Sequence, residues 1–193
     1  MTLTAELTEL NGSGATGNAT AVVRNQKIRN IEVHASGLTR DAPHAQHINF
    51  AEDARNECPT LALDDTSGDG RLNTVEGTPA YGPIVVSLTT NRDTSPASSL
   101  AVSRFPVASS GELNYSRDNI EFTDAAGVGY SSGTGTAKQI ADSDRAGKGV
   151  VVIHGIDYDG NGECSFSEPE GQSELDPSLP AEATDPVACG VLI

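Results

Sequence analysis

The stretches NATAVVRN (18–25) and RNIEVHAS (29–36) decide the fold class. In each, apolar residues alternate with polar ones, and the few residues between them predict a β-hairpin with one buried face. Similar short stretches between polar or glycine-rich turns predict further strands: LTAELTEL (3–10), HAQHINF (44–50), IVVSLTT (84–90), LAVSRFPV (100–107), ELNYSR (112–117), GVVVIHG (149–155) and ACGVLI (188–193). The sequence therefore predicts an all-β fold, a Greek-key sandwich or barrel of about eight strands.

Two long acidic segments interrupt this pattern of strands. Residues 51–83 and 157–186 are polar and contain glycine and proline, so we expect long functional or metal-held loops there. Residues 124–136 are rich in glycine and serine, and residues 137–146 form the best candidate for a short helix. Because the chain has 193 residues, we expect a single β domain over 1–193, with two long insertion loops and one short helix.

The charge of the chain excludes two classes of partner. There are 27 acidic and 12 basic side chains, which amount to a formal net charge of −15. Such a chain repels the phosphates of nucleic acids and anionic membrane surfaces. The longest apolar runs are also too short to cross a bilayer. No charged-then-apolar leader opens the sequence, so either the protein is cytosolic or Met1 replaces a removed leader.

The first acidic loop contains DTSGDGRLNTVE (65–76), which fits the twelve-residue calcium loop. Gly70 stands at position six, where the chain must turn sharply. A hard cation needs six to eight oxygens, and a chain supplies them by curling round the ion with alternate residues turned inward. The predicted ligands are Asp65, Ser67, Asp69, Arg71 through its carbonyl, Asn73 through water, and Glu76.

The second acidic loop contains DYDGNGECSFSE (157–168), which fits the same pattern. Its predicted ligands are Asp157, Asp159, Asn161, Glu163 through its carbonyl, Ser165 and Glu168. Acidic loops with glycine and asparagine often bind nothing, but two matches in one chain favour two calcium sites. The flanking sequences do not have the pattern of paired helices, so we expect loops that hold the structure together rather than a calcium sensor.

Several short blocks resemble two related families. The stretch GLTRDAPHAQHINF (37–50) is similar to the GLT segment and copper-binding strand of copper-zinc superoxide dismutase. VVVIHG (150–155) and ACGVLI (188–193) resemble two later strands of that family. NGSGATGNATAVV (11–23), YGPIVVSL (81–88) and AGKGVVVIH (146–154) also resemble the CHRD domain, an extracellular β module. These blocks cover about half the chain and imply a dismutase-like sandwich.

The dismutase resemblance implies a reduced copper site. His47 and His154 match copper ligands, and Asn49 stands where the family has a further histidine. His44 matches a histidine that supports the site without binding copper. Nothing matches the zinc cluster, and residues 51–83 contain no histidine. The alternative is a histidine pair that is simply hydrogen-bonded inside the sandwich, and we expect His34 to be an ordinary surface residue.

Three cysteines allow either one disulfide with a spare thiol or three free thiols in a cytosolic protein. The resemblance implies a disulfide between Cys58 and Cys189, which leaves Cys164, at position eight of the second calcium loop, as the spare thiol. A disulfide together with calcium loops favours an oxidising, calcium-rich compartment, and hence a secreted or cell-surface protein.

These observations predict a calcium-stabilised binding or structural module without dismutase activity. It would bind calcium ions and an unknown protein or surface, and acidic calcium sites could also bridge copies of the chain into a homo-oligomer. The alternative is a copper-only, dismutase-like redox enzyme that uses His47 and His154. Three glycosylation sequons, at Asn11, Asn18 and Asn114, add a potential modification in a source that glycosylates.

Overall fold

The computed structural model describes residues 1–24, 27–51, 53–120 and 149–193. Eight strands confirm the predicted all-β class. They are β1 (Thr2–Glu9), β2 (Thr16–Arg24), β3 (Lys27–Ser36), β4 (Gln46–Asn49), β5 (Ile84–Ser87), β6 (Leu113–Ile120), β7 (Val150–His154) and β8 (Pro186–Val191).

The strands form one curled antiparallel sheet in the order β5-β4-β7-β8-β1-β2-β3-β6. β1, β2 and β3 follow one another as hairpins, whereas the connections β3–β4, β5–β6 and β6–β7 cross to the other half of the sheet, as in Greek-key folds. The two halves join where Thr8 and Glu9 of β1 pair with Cys189 and Ala188 of β8. This crossing brings β4 and β7 side by side, and both carry candidate site residues.

Alternation explains which face of β1, β2 and β3 is buried. In β1, Leu3, Ala5 and Leu7 point inward while their neighbours are exposed. The main core gathers such residues from the strands of both halves of the sheet. β7 differs, since all five of its residues are buried, as expected for an unbroken apolar run with both faces covered.

The outer face of β7 packs against the first acidic segment. Val150 and Val152 form a second apolar cluster with Leu72 and Tyr81 from that segment, together with Leu10 and Cys189. Residues 51–83 therefore contribute a buried layer of their own, although the sequence predicts only a loop there. The Cys58–Cys189 disulfide confirms the implied pairing and ties the same segment covalently to β8.

Three short helices lie within the two long acidic segments, where the sequence predicts loops. They are α1 (Leu61–Asp64), α2 (Thr74–Tyr81) and α3 (Ala181–Thr184). The helix predicted over 137–146 and the glycine- and serine-rich stretch 124–136 lie outside the described residues. None of the helices in the described part of the chain has the length and apolar character needed to cross a bilayer.

The prediction of a strand over residues 100–107 is wrong. The structure has a 3₁₀ turn at Val102–Arg104 and an irregular chain on either side of it. The Arg104 guanidinium donates to the carbonyl oxygens of Asn91 (2.7 Å) and Asp93 (2.8 Å), which holds this stretch against its own preceding loop. Alternating apolar residues indicated a strand, but side-chain contacts with this loop determine the conformation.

Candidate metal-binding loops and paired histidines

The first predicted calcium loop closes on its own first residue. The Asp65 carboxylate accepts hydrogen bonds from the backbone N–H groups of Gly68 (2.7 Å) and Gly70 (2.9 Å). Gly70 has φ of 83°, a left-handed conformation that glycine adopts without strain. These contacts turn the chain round the Asp65 carboxylate at the position where the calcium-loop pattern requires the sharp turn.

Glu76, at position twelve, links the end of the loop to its beginning. Its Oε1 accepts from the N–H of Ser67 (2.8 Å) and the hydroxyl of Thr66 (3.2 Å). Its Oε2 accepts from the N–H of Asn73 (3.2 Å), and the Asn73 side chain accepts from the N–H of Glu76 (2.9 Å), which forms a capping box at the start of α2. Burial alone would raise the pKa of Glu76, but these hydrogen bonds outweigh it and lower that pKa.

The remaining predicted ligands of the first loop have mixed roles. Ser67 donates through its hydroxyl to Asp65, and Asp69 accepts from the N–H of Arg71 (2.9 Å). Helices flank the loop, α1 before it and α2 at its end, so the prediction that it lacks paired helices is wrong. α1 has only four residues, and α2 contains glycine and proline, which explains why no helical pattern is visible in the sequence.

The second predicted loop repeats the geometry of the first. The Asp157 carboxylate accepts from the N–H groups of Gly160 (2.8 Å) and Gly162 (2.7 Å), at the same loop positions, four and six, as Gly68 and Gly70. Asp159 and Asn161 stand next to it, joined by two hydrogen bonds of 3.0 Å. The two loops lie far apart in sequence, yet they curl in the same way round their first aspartate.

The other predicted ligands of the second loop surround Asn161. Its side chain accepts from the N–H of Glu163 (2.8 Å) and donates to the hydroxyl of Ser165 (2.9 Å). Glu163 is exposed, and Ser165 is half-buried. This cluster keeps Asn161 and Ser165 close to the two aspartates.

A residue outside the predicted loop closes it. Glu182, at 0% exposure on α3, accepts from the N–H groups of Tyr158 (2.9 Å) and Ser165 (2.7 Å) and from the Ser167 hydroxyl (2.7 Å). One carboxylate oxygen from each of Asp157, Asp159 and Glu182 lies within 4.8 Å of the others. Glu168, the predicted closing ligand, is exposed and is not in this group.

In the described parts of the chain, this is the only group of three or more His, Cys, Asp or Glu side chains whose ligand atoms lie within 4.8 Å of one another. Asp65, Asp69 and Glu76 are not brought as close together as Asp157, Asp159 and Glu182. Glu182 follows Pro180 and Ala181 in a stretch without calcium-loop spacing, so no local signal could identify it. Only the packing of α3 against the loop brings it to the two aspartates.

Asp185, directly after α3, connects the two loops. The Arg71 guanidinium of the first loop lies 2.6 Å from Asp185 Oδ2, and the hydroxyl of Tyr158 in the second loop donates to the same oxygen (2.9 Å). Asp185 is fully buried, and burial raises its pKa to about 7 in spite of the guanidinium. One short segment, residues 181–185, therefore contacts both acidic loops.

His47 on β4 and His154 on β7 are brought together, as the resemblance implies. Their ring centroids are 5.1 Å apart, and both side chains are buried. His47 Nε2 lies 3.2 Å from the carbonyl oxygen of Ser99, and His154 Nδ1 lies 2.6 Å from that of Thr184. Since a carbonyl only accepts, these nitrogens carry the protons, and His47 Nδ1 and His154 Nε2 carry lone pairs.

These two lone-pair nitrogens have no hydrogen-bond partner among the described residues. Both rings line a cavity of about 10 Å³, together with Ser99 and Thr184. Burial lowers the pKa of His154 to about 4. Burial, helped by the neighbouring His154, also holds the pKa of His47 well below its usual range. Two neutral imidazoles thus stand beside one small cavity with an unshared electron pair each.

The residues around this pair fit the resemblance only in part. Asn49 is buried and donates to the carbonyl oxygen of Val150 (3.5 Å), and it is not among the residues that line the cavity. The two ring nitrogens of His44 lie 2.9 Å and 3.0 Å from the carbonyl oxygens of His154 and Thr39, so His44 supports the backbone beneath the pair. His34 is exposed on β3, as predicted.

Comparison with known proteins identifies no family for the chain. No protein-family model matches it, and a search of curated proteins finds no match either. The geometry of the two loops and of the histidine pair is therefore the basis for assigning a function.

Proposed function

We propose that the chain is a secreted or cell-surface β-sandwich module with a dismutase-like fold. Calcium ions bound in its two acidic loops stabilise this module. The observation that carries the proposal is the convergence of Asp157, Asp159 and the buried Glu182 within 4.8 Å. A buried carboxylate without a cation is costly, and a hard divalent ion prefers oxygen ligands of this kind. The disulfide fits an extracellular location.

In the second loop, the proposed ligands are Asp157, Asp159, Asn161 and Ser165 with Glu182 in place of Glu168. In the first loop, Asp65, Asp69 and Glu76 supply the carboxylates, with Ser67, Asn73 and the Arg71 carbonyl as predicted. Its curl matches that of the second loop, with N–H groups at positions four and six donated to the first aspartate. Two bound ions would change the formal charge from −15 to −11 and relieve part of the repulsion between the loops.

A pair of matched variants tests the revised ligand assignment. Glu182→Gln should abolish one calcium site and the calcium-dependent part of the melting temperature that belongs to it. Glu168→Gln changes an exposed carboxylate and should leave calcium binding within about twofold of the original chain. If Glu168→Gln removes a site and Glu182→Gln does not, the pattern of the loop alone governs binding and the assignment of Glu182 is wrong.

Because Glu182 also accepts three hydrogen bonds, the Glu182→Gln variant needs a stability control. Its melting temperature in excess chelator measures the metal-independent loss, which should be subtracted from the loss in calcium. Asp159→Asn is a milder test at an exposed position of the same loop. If both variants bind calcium like the original chain, the site does not exist.

A module of this kind would act by binding rather than by catalysis. The net charge of −15 repels an anionic substrate such as superoxide. We propose a protein or surface as its partner, and calcium bridges between acidic surfaces could also join copies of the chain. Sedimentation with calcium and with chelator tests self-association, which should appear only with calcium.

A copper-only redox enzyme is the second candidate, and the histidine pair favours it. His47 Nδ1 and His154 Nε2 are buried, unprotonated and without a partner among the described residues, which is the state of a nitrogen ligand. Bound copper would supply one-electron redox chemistry, while Ser99 and Thr184 fix the tautomers and His44 supports the backbone of His154. Asn49 leaves this site one histidine short of the pattern that it resembles.

Copper titration followed by electron spin resonance tests this second candidate. A Cu(II) signal with nitrogen hyperfine coupling that is lost in His154→Ala supports it, and Asn49→His should then strengthen copper binding. A signal that His154→Ala does not change, or no nitrogen-coupled signal, rules it out. His34→Ala, at an exposed histidine, is the matched control for surface copper.

A further inference from the structure

The three sequons have different surroundings in the fold. Asn11, at the turn after β1, is half-buried, and its Nδ2 donates to the carbonyl oxygens of Leu72 and Pro186, each at 2.9 Å. Its Oδ1 accepts from the N–H of Leu72 (2.7 Å). A sugar on Nδ2 would replace one of the two donating hydrogens and break a link between the first acidic segment and β8. The Asn11 side chain thus has a structural role that uses both hydrogens of Nδ2.

Asn18 and Asn114 are free of such constraints. Asn18 is exposed on β2, and its side chain has no hydrogen-bond partner among the described residues. Asn114 is exposed on β6 and uses only its Oδ1, which accepts from His34 Nδ1 (2.9 Å), so that Nδ2 remains accessible. The hydroxyl residues Thr20 and Ser116 follow two positions later and share a face with their asparagines, since side chains alternate along a strand.

The sheet also brings these two asparagines together. Asn18 pairs with His34, and His34 pairs with Asn114, so the three side chains stand in one row across β2, β3 and β6. Neighbouring strands are about 4.8 Å apart, which puts the two asparagines about 10 Å from each other on the solvent-exposed face. A glycan on each would cover one continuous patch of that face.

We propose that Asn18 and Asn114 are N-glycosylation sites and that Asn11 is not. The donor would be a lipid-linked oligosaccharide with a polyprenyl pyrophosphate leaving group. The Asn Nδ2 forms a bond to the anomeric carbon of the first sugar, the bond from that carbon to the pyrophosphate oxygen breaks, and a base of the transferase takes the Nδ2 proton. The proposal depends on the extracellular location proposed above and not on calcium. The two glycans would direct a protein partner away from this polar face.

Secretion of the full chain from a yeast host, behind a removable leader, tests the proposal. Intact mass before and after endoglycosidase treatment should show two glycans on the folded, disulfide-bonded protein. Asn18→Gln and Thr20→Ala should each remove one glycan, and Asn114→Gln and Ser116→Ala should each remove the other. Asn11→Gln should leave the glycan mass unchanged and lower the melting temperature.

If Asn11→Gln is not secreted, peptide mapping of the original chain after enzymatic deglycosylation in H₂¹⁸O identifies the occupied sites directly. A glycan at Asn11 in the folded fraction, or an unmodified Asn18 or Asn114, would overturn the proposal. A calcium titration of the same deglycosylated protein is a separate readout of the calcium proposal, so that failure of either can be recognised.

Discussion

Two buried imidazoles are among the incompletely hydrogen-bonded polar groups of the described residues. His47 and His154 are each almost fully buried, and each leaves one nitrogen without a partner among the described residues. An unpaired buried acceptor costs about 1–3 kcal/mol, and such groups in a folded protein call for an explanation. A copper ion or a single ordered water in the cavity between the rings would supply one.

The same two histidines should make stability depend on pH. In the metal-free protein, burial lowers the pKa of His154 to about 4 and that of His47 well below 6.5. The unfolded chain takes up a proton at each histidine near pH 6.5, so between pH 6.5 and about 4 the unfolded state binds more protons. The free energy of unfolding should therefore fall as the pH drops, by up to about 1.4 kcal/mol per pH unit for each histidine.

Urea denaturation in chelator between pH 6.5 and 5 measures this slope. Asp185, whose pKa burial raises to about 7, contributes in the opposite sense, because the folded state binds its proton more tightly there. The slope of the original chain minus that of His47→Gln/His154→Gln isolates the histidines. His34→Gln is the control, and equal slopes in the double variant and the original chain would contradict the prediction.

At the scale of elements, the strands are predictable from sequence because their signal is local. β1, β2 and β3 alternate with a period of two, and β7 is an unbroken apolar run. α2 lacks such a signal, since TVEGTPAY contains both glycine and proline. A local contact, the Asn73–Glu76 capping box, and a distant one, the burial of Tyr81 against β7 and β8, stabilise it.

The sequence likewise indicates some residues of the candidate site and not others. Spacing identifies the loops at 65–76 and 157–168, and the resemblance identifies the histidine pair and the disulfide. Glu182 could not be found, because its approach to Asp157 and Asp159 arises only when α3 packs on the second loop. The sequence does not indicate Asp185 for the same reason, since Arg71 of the first acidic segment and Tyr158 of the second meet it only in the folded chain.

The capping box should contribute measurably to the stability of α2. Asn73→Ala removes the acceptor for the Glu76 N–H and should lower the free energy of unfolding by about 1 kcal/mol. Asn73→Asp keeps an acceptor at the N-cap and should cost less. Urea denaturation of both variants in chelator separates this effect from any calcium contribution, and an equal loss in both variants would contradict the capping role.

At the scale of the whole molecule, a strongly acidic chain depends on links between distant segments. The disulfide joins residues separated by 131 positions, and Arg71 joins the first loop to Asp185 across 114 positions. Both links fasten the first acidic segment to β8 or to the segment just before it. Carboxylates are concentrated in the two loops, so the repulsion between them acts against these links.

Removal of the disulfide should therefore destabilise the fold strongly. Closing a loop of this length in the unfolded chain is worth about 4–5 kcal/mol in the chain-entropy model. Cys58→Ala/Cys189→Ala should lose about that much free energy of unfolding, measured by urea denaturation. Cys164→Ala is the matched control at the free thiol, and a loss under about 1 kcal/mol in the double variant would contradict the role of the link.

Calorimetric titration of the full, metal-stripped chain with calcium is the most direct test of the central claim, that calcium ions stabilise the two acidic loops. We predict two ions bound per chain and a melting temperature that rises with calcium and falls again in excess chelator. No heat of binding, together with a melting temperature that is the same in calcium and in chelator, would contradict the account.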